Sequence, residues 1–79
     1  MSGNRDEYLV IGPQSFGKAI REFRLRRHVS QQQLAEQAEI HRSYISELES
    51  GSTTEALRRI MSVLAALDLE VVVRERGTR

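Results

Sequence analysis

Four polar side chains that can hydrogen-bond to the edges of nucleic-acid bases lie close together in the middle of the chain. They are Arg42, Ser43, Ser46 and Glu47. A guanidinium can contact guanine O6 and N7 together, a carboxylate can accept from cytosine N4, and a hydroxyl can bond several bases or a phosphate. These side chains can contact bases together only if the secondary-structure elements that carry them hold them on one exposed surface.

The stretch 31–50 has the apolar spacing of two short helices joined by a turn. Leu34 and Ala38 are four residues apart and share one face of the first helix. Ile45 and Leu48 are three residues apart and share one face of the second helix. The residues between them break the phase, so two helices at an angle around a small shared core are predicted. The residues assigned to this core are Leu34, Ala35, Ala38, Ile40, Ile45 and Leu48.

The second of these helices would carry the four polar groups outward. In a helix-turn-helix, the early residues of the second helix reach base edges in the major groove. Gln31, at the start of the first helix, is placed to hold a phosphate with help from the helix dipole. The Tyr44 hydroxyl could reach a phosphate, or its ring could be half-buried. Each residue alone could be ordinary surface, but together with the apolar spacing they favour DNA contact.

Capping residues predict where the first helices begin. Pro13 suits a helix entry, so we expect a first helix over about residues 14–27. Ser30 and Gln33 form an S-x-x-Q capping box. The next helix should therefore begin immediately after Ser30.

A third helix should begin near Arg42, with the weak N-cap His41, and end at Gly51. Ser52 and Glu55 form a second capping box, S-x-x-E, that would open a fourth helix. The apolar stripe of that helix belongs to the core or to a dimer interface. It consists of Leu57, Ile60, Met61, Leu64 and Leu67.

The size and charge of the chain restrict its class. Its 79 residues fit one small domain, and the absence of cysteine excludes disulfides and thiolate zinc sites. No apolar run is long enough to span a membrane and no signal peptide is recognisable, so we expect a cytoplasmic protein. The net charge is only +1, but cations cluster on the first helix. They are Lys18, Arg21, Arg24, Arg26 and Arg27.

Near the C-terminus, apolar residues alternate in the manner of a β-strand. A lone strand is unstable because its backbone groups need a neighbour. Two partners are open: the apolar run 8–11 and the same strand of a second molecule. We favour the second molecule, since a two-fold axis would also pair two helix-turn-helix units. The predicted dimerisation residues are Leu69, Val71, Val72 and Val73.

The segment SQQQLAEQAEIHRSYISELESG resembles the Cro/C1-type helix-turn-helix domains of bacterial and phage repressors. The matching residues are Gly17, Ile20, Arg21, Arg24, Ser30, Gln31, Leu34, Ala35, Ala38, Ile40, Ile45, Ser46, Leu48, Glu49 and Gly51. The resemblance implies an ion pair between Arg24 and Glu49. It also implies DNA contacts. Together with the predictions made from the residues themselves, these contacts are assigned to Gln31, Arg42, Ser43, Tyr44, Ser46, Glu47 and Ser50.

Two residues depart from that family's pattern. His28 and Glu39 stand at turn positions where the family commonly has glycine. Since a positive φ is uncommon for other residues, either the turns differ slightly or a modest strain is tolerated.

The order of elements and the terminal strand look like HipB-type antitoxins, which repress their own operon and bind a HipA-type kinase toxin. The predicted fold is therefore an all-α, four- to five-helix, lambda-repressor-like domain with a short C-terminal strand that pairs across a dimer. The expected organisation is a disordered tail at 1–7, the DNA-binding domain at 8–68 and the dimerisation strand at 69–76. The expected partners are a near-palindromic DNA operator, a second copy and a HipA-like kinase. The alternatives are a free-standing Cro/C1-type regulator and a protein-interaction module that has lost DNA binding.

An enzyme is not expected, because the chain lacks convergent catalytic groups. The two histidines, His28 and His41, fall at separate turns, and no cysteine could join them in a metal site. Four short helices also leave little room for an enclosed cavity. We therefore predict no catalytic residue, no metal and no cofactor.

Overall fold

The chain folds into four helices and a two-stranded antiparallel sheet. The structure, a computed structural model, describes residues 7–76. The elements are β1 (Glu7–Val10), α1 (Ser15–Arg26), α2 (Gln31–Ala38), α3 (Arg42–Glu49), α4 (Glu55–Ala66) and β2 (Val71–Arg74). The predicted helical domain with a helix-turn-helix and a C-terminal strand is confirmed. Residues 1–6 of the predicted tail lie outside the described residues, and Glu7 is the first residue of β1.

All four helices end through a residue in the left-handed region. After α3 this residue is Gly51, with φ of 98°, as predicted. After the other three helices it is not glycine: φ is 57° at His28, 60° at Glu39 and 61° at Asp68. Of the two alternatives for His28 and Glu39, the structure therefore shows the usual turns made by residues that carry a steric cost there.

Each left-handed residue is followed by the long-range hydrogen bond of a Schellman motif. The backbone N–H of the next residue donates to the carbonyl five residues back. After α1, α2 and α4, the residue that donates this N–H is apolar. These bonds are Val29 N to Arg24 O (3.2 Å), Ile40 N to Ala35 O (3.0 Å), Ser52 N to Glu47 O (3.1 Å) and Leu69 N to Leu64 O (2.9 Å). The backbone is thus turned sharply at each helix end, and the helices stay short.

One predicted capping box is present and the other is not. The Ser30 hydroxyl accepts from Gln33 N at 3.0 Å, and the Gln33 side chain accepts from Ser30 N at 2.8 Å. The predicted box at Ser52 is wrong, because the Ser52 N–H is part of the turn that ends α3. Thr54 caps α4 instead and accepts from Leu57 N at 3.1 Å.

The buried apolar core is small and lies where β1, α1, α2 and α3 meet. Its members are Val10, Ala19, Ala35 and Ile45. Four of the six predicted core residues lie outside this fully buried set. Leu34 and Leu48 are half-buried beside it, whereas Ala38 is exposed and Ile40 is 42% exposed. Ala38 ends α2 and Ile40 follows the left-handed Glu39, so the turn directs both toward the surface.

The C-terminal strand pairs with β1 of the same chain. The register places Glu7 opposite Arg74 and Val10 opposite Val71. This corrects the favoured pairing with a second molecule. The turn at Asp68 reverses the chain after α4, so β1 is available at high effective concentration without a second copy.

Candidate nucleic-acid interface

The structure brings the predicted base-reading residues together on the outer face of α3. Arg42 and Ser46 are four residues apart, as are Ser43 and Glu47, so each pair shares one side of the helix. All four are exposed, whereas Ile45 on the inner side is buried. The result is a polar surface one helix wide, which fits the width of a DNA major groove.

The start of α3 is organised by His41. Its ring Nδ1 accepts from the backbone N–H of Ser43 at 3.3 Å and lies 3.1 Å from the Ser43 hydroxyl oxygen. His41 therefore caps the helix with its side chain, and it also fixes the Ser43 hydroxyl at the helix start. The sequence marks His41 only as a weak N-cap and gives no sign of this contact with Ser43, a predicted DNA-binding residue.

Two further predicted residues behave differently from each other. The Ser50 hydroxyl donates to the carbonyl of Glu47 at 2.7 Å, so its proton is already used within α3. Tyr44 is 61% exposed, which leaves its ring in solvent rather than half-buried. Tyr44 is thus accessible, while Ser50 mainly closes the end of the helix.

Behind this surface, Arg24 and Glu49 form a two-pronged ion pair. Arg24 Nε lies 2.6 Å from Glu49 Oε2 and Arg24 Nη2 lies 2.9 Å from Oε1, with the side chains only 11% and 4% exposed. Arg24 Nη1 also donates to Val29 O at 2.9 Å. The hydrogen bond from Arg24 lowers the pKa of Glu49 against the opposing effect of burial, and the same bond raises the pKa of Arg24. This pair ties α1 to the end of α3.

Gln31 also belongs to this network. Its Nε2 donates to Glu49 Oε1 at 3.0 Å, and this bond further lowers the pKa of the Glu49 carboxyl. The amide nitrogen is therefore held in a defined orientation at the start of α2, with a second N–H available for an outside acceptor. The phosphate contact of Gln31 is a prediction from the sequence, whereas Glu49, which orients the amide, is revealed only by the structure.

The close approach of α1 and α3 depends on Gly17. A Cβ at this position would overlap the backbone carbonyl of Leu48 and would lie 3.2 Å from Glu49 Cα. Glycine therefore lets the backbones of α1 and α3 touch. The same contact brings Arg24 within reach of Glu49.

Within the described residues, no group of three or more His, Cys, Asp or Glu side chains is arranged to hold a metal ion. Across residues 7–76, no helix has the length and apolar character needed to cross a membrane. The features that remain are a polar helix face, a cationic helix beside it and an ion pair that fixes their geometry. Such a surface can bind a polyanion with a groove the width of a helix.

Comparisons with known proteins agree with this geometry. A family model described as Helix-turn-helix matches residues 20–72, which include α2, α3 and α4. The chain is also similar to a protein named Control protein C.BamHI from Bacillus amyloliquefaciens. The two are 36% identical over 56 residues, which is 70% of this chain and 69% of that protein. No solved structure matches the chain.

Proposed function

The chain belongs to the Cro/C1-type helix-turn-helix family of DNA-binding transcriptional regulators, and from this premise we propose that it is a homodimeric repressor of a near-palindromic operator. The observation that carries the proposal is the exposed polar face of α3, opposite the buried Ile45. A helix-turn-helix presents this face to the major groove. No catalytic step is part of the proposed function, and DNA is the ligand.

On DNA, the residues of the interface have different roles. Arg42 reads a guanine, Glu47 accepts from a cytosine, and Ser43 and Ser46 bond base edges or phosphates. Gln31 donates to a backbone phosphate through the amide N–H that Glu49 leaves free. Base contacts thus come from α3, and the position of the backbone is set from α2.

Recognition of two half-sites requires a second copy whose α3 enters the major groove about 34 Å further along the duplex. The outer face of α4 supports this step, because Ile60, Val63 and Leu67 are 55%, 59% and 63% exposed. Their i, i+3, i+7 spacing gives a continuous apolar stripe, which fits burial against the same stripe of a second molecule.

We propose a smaller part in this interface for the predicted dimerisation strand. Val71 and Val73 are half-buried and face the chain's own interior, while Leu69 and Val72 remain exposed. We therefore place the centre of the dimer at α4, with the strand as a secondary contact.

Two finer roles fit a repressor of this kind. A HipB-type antitoxin, bound to a HipA-like kinase and acting on its own operon, is favoured by the order of the elements and the terminal strand. A free-standing control protein is favoured by the relative's printed name. Whether the adjacent reading frame encodes a kinase-like protein distinguishes them. Either role implies a protein that works in the cytosol, on the chromosome.

The proposal is tested by a gel shift with the protein's own promoter region at two salt concentrations. We expect specific binding that weakens steeply with salt, because counterions are released from the phosphates. A salt-independent interaction with a protein partner and none with DNA would favour the interaction-module alternative.

Arg42→Ala tests base reading directly. We expect a loss of about 1–3 kcal/mol on the cognate site and little loss on unrelated DNA. The control, Arg26→Ala, removes a cation that is paired with Glu22 on α1. Equal losses on all sequences would reduce Arg42 to a phosphate contact.

A further inference from the structure

The cationic run on α1 divides into paired and unpaired members in the structure. Arg24 pairs with Glu49, Arg26 lies 3.2 Å from a Glu22 carboxylate oxygen, and Arg27 lies 3.8 Å from one of Glu75. Among residues 7–76, neither Lys18 nor Arg21 takes part in an ion pair. Pairing extends to other elements as well: Arg58 and Arg59 with Glu55, and Arg74 with Glu7. The surplus positive charge of α1 is therefore concentrated at Lys18 and Arg21.

Arg21 lies on the side of α1 that meets the end of α3. It is one helical turn beyond Gly17, the residue at which a Cβ would overlap the backbone of Leu48 and approach that of Glu49. It also precedes Arg24, the partner of Glu49, by three residues. Arg21 is nonetheless exposed, so its backbone is held at the α1–α3 contact while its guanidinium faces solvent.

The neighbouring carboxylate is already occupied. Glu49 Oε2 accepts from Arg24, and Oε1 accepts from both Arg24 and Gln31. The pKa of Glu49 is lowered first by the hydrogen bond from Arg24, and the charge of Arg21 lowers it further from a distance. Two arginines and one glutamate leave one net positive charge beside the Gln31 amide. That charge has no counterion among the described carboxylates.

We propose that Arg21 is a DNA-backbone contact that donates from α1 to a phosphate beside the one bound by Gln31. The assignment rests on the proposed DNA-binding function and adds a third helix to the interface. It also separates Arg21 from Arg26 and Arg27, whose charges are balanced within the chain. Because a phosphate contact carries no sequence information, Arg21 contributes equally to cognate and unrelated DNA.

The test compares Arg21→Gln with Arg26→Gln, which removes the same charge from the same helix. Affinity of the full chain is measured by fluorescence anisotropy on operator and on unrelated duplexes between about 0.05 and 0.3 M salt. Loss of one phosphate contact lowers the slope of log K against log salt by about 0.9, which is roughly eightfold in affinity at 0.1 M salt. We expect this for Arg21→Gln on both duplexes, little change for Arg26→Gln, and recovery in Arg21→Lys.

The outcomes separate the inference from the function on which it rests. If the unmodified protein shows no salt-dependent operator binding, the proposed function fails. If it binds as expected but Arg21→Gln keeps the full slope, the Arg21 assignment is overturned while the function stands. A loss confined to the operator would overturn it too, because it would make Arg21 a base contact. Melting followed by circular dichroism should show the same transition for both variants, so a fall in binding reports the contact and not the fold.

Discussion

The two halves of the molecule treat apolar surface in opposite ways. In the half formed by α1, α2 and α3, Ala19, Ala35 and Ile45 are buried and the outer face of α3 is polar. The exposed large apolar or aromatic side chains of this half, Leu25, Ile40 and Tyr44, lie on α1, in the turn after α2 and on α3, and form no stripe. In the half formed by α4 and the sheet, Val10 is buried, but α4 contributes no buried residue. The exposed apolar side chains of this second half are Leu9, Ile11, Ile60, Val63, Leu67, Leu69 and Val72.

This difference indicates two kinds of partner. A polar face beside surplus positive charge suits DNA, which supplies phosphates and base edges. An apolar stripe on a helix with no buried residue suits a second protein surface, because removing apolar side chains from water is favourable. The first half is fixed by its own core and ion pair, whereas the second would be completed by the proposed association with a second copy. The variants below test that division.

The largest effect is expected from Gly17→Ala, in the first half. The new Cβ would overlap the Leu48 carbonyl, so α1 and α3 would have to separate and Arg24 would lose its fit to Glu49. We expect a loss of at least about 3 kcal/mol in the free energy of unfolding, measured by urea denaturation. Gly12→Ala is the control, because its Cβ would meet only the movable end of Gln14 at 3.2 Å. Equal stability of the two variants would contradict the close approach.

Next in size is Glu49→Gln, which leaves the Arg24 guanidinium half-buried without a counterion. We expect a loss of about 3 kcal/mol at neutral pH with unchanged base preference. Glu36→Gln, on the exposed side of α2, should cost under about 0.5 kcal/mol.

The Glu49 effect should also depend on pH. Folding lowers the pKa of this carboxyl below its ordinary value of 4.5, so its contribution is complete above that pH. The contribution is lost as pH falls through the lowered pKa, where the folded protein takes up the proton. The stability gap between the original chain and Glu49→Gln should therefore narrow in acid. A gap that stays constant below pH 4.5 would show that the charge of Glu49 is not what stabilises the fold.

In the second half, Val63→Asp should dissociate the proposed dimer without unfolding the chain. An exposed valine costs little to replace in a monomer, but a carboxylate at a two-fold apolar contact faces its own copy. We expect a monomer in sedimentation equilibrium, retained helix content and a fall in operator affinity of about a hundredfold, because linkage of the half-sites is lost. Ser62→Asp, at the adjacent exposed position of α4, should remain dimeric.

A further variant separates the two candidate interfaces. Val72→Asp places the same charge on the exposed side of β2. If Val63→Asp stays dimeric while Val72→Asp dissociates, the strand is the interface, as the sequence analysis first predicted.

The sequence predicted features that depend on neighbouring residues more reliably than those that depend on the whole chain. The capping box at Ser30, the stop at Gly51 and the beginnings of α2 and α3 follow from local hydrogen bonding. The partner of β2 could not be deduced, because the apolar run 8–11 and the same strand of a second molecule are both able to supply the missing backbone hydrogen bonds. The N-cap of α4 is Thr54 and not the predicted Ser52, because the Ser52 N–H is already bonded to Glu47 O in the turn that ends α3.

The candidate interface shows the same limit. Arg42, Ser43, Ser46 and Glu47 follow from helical spacing around one buried residue. The hydrogen bond from Gln31 to Glu49 joins residues eighteen apart in sequence, and only the packing of α2 against α3 creates it. The left-handed turn at Asp68 had no glycine to mark it. Its sequence signal was the apolar residue that follows, as at His28 and Glu39.

The smallest expected effect lies in the turn between the two DNA-binding helices, where Glu39 occupies the left-handed region with φ of 60°. Glycine carries no Cβ penalty there, although it adds entropy to the unfolded chain, so Glu39→Gly should stabilise the fold by a net of about 0.5–1 kcal/mol. Glu36→Gly, within α2, should instead destabilise it by about 1 kcal/mol. Opposite signs for these two changes of the same residue type, measured by thermal melting, would show that backbone strain is confined to the turn. If Glu39→Gly is also destabilising, the strain at the left-handed glutamate is smaller than the entropy that glycine adds to the unfolded chain.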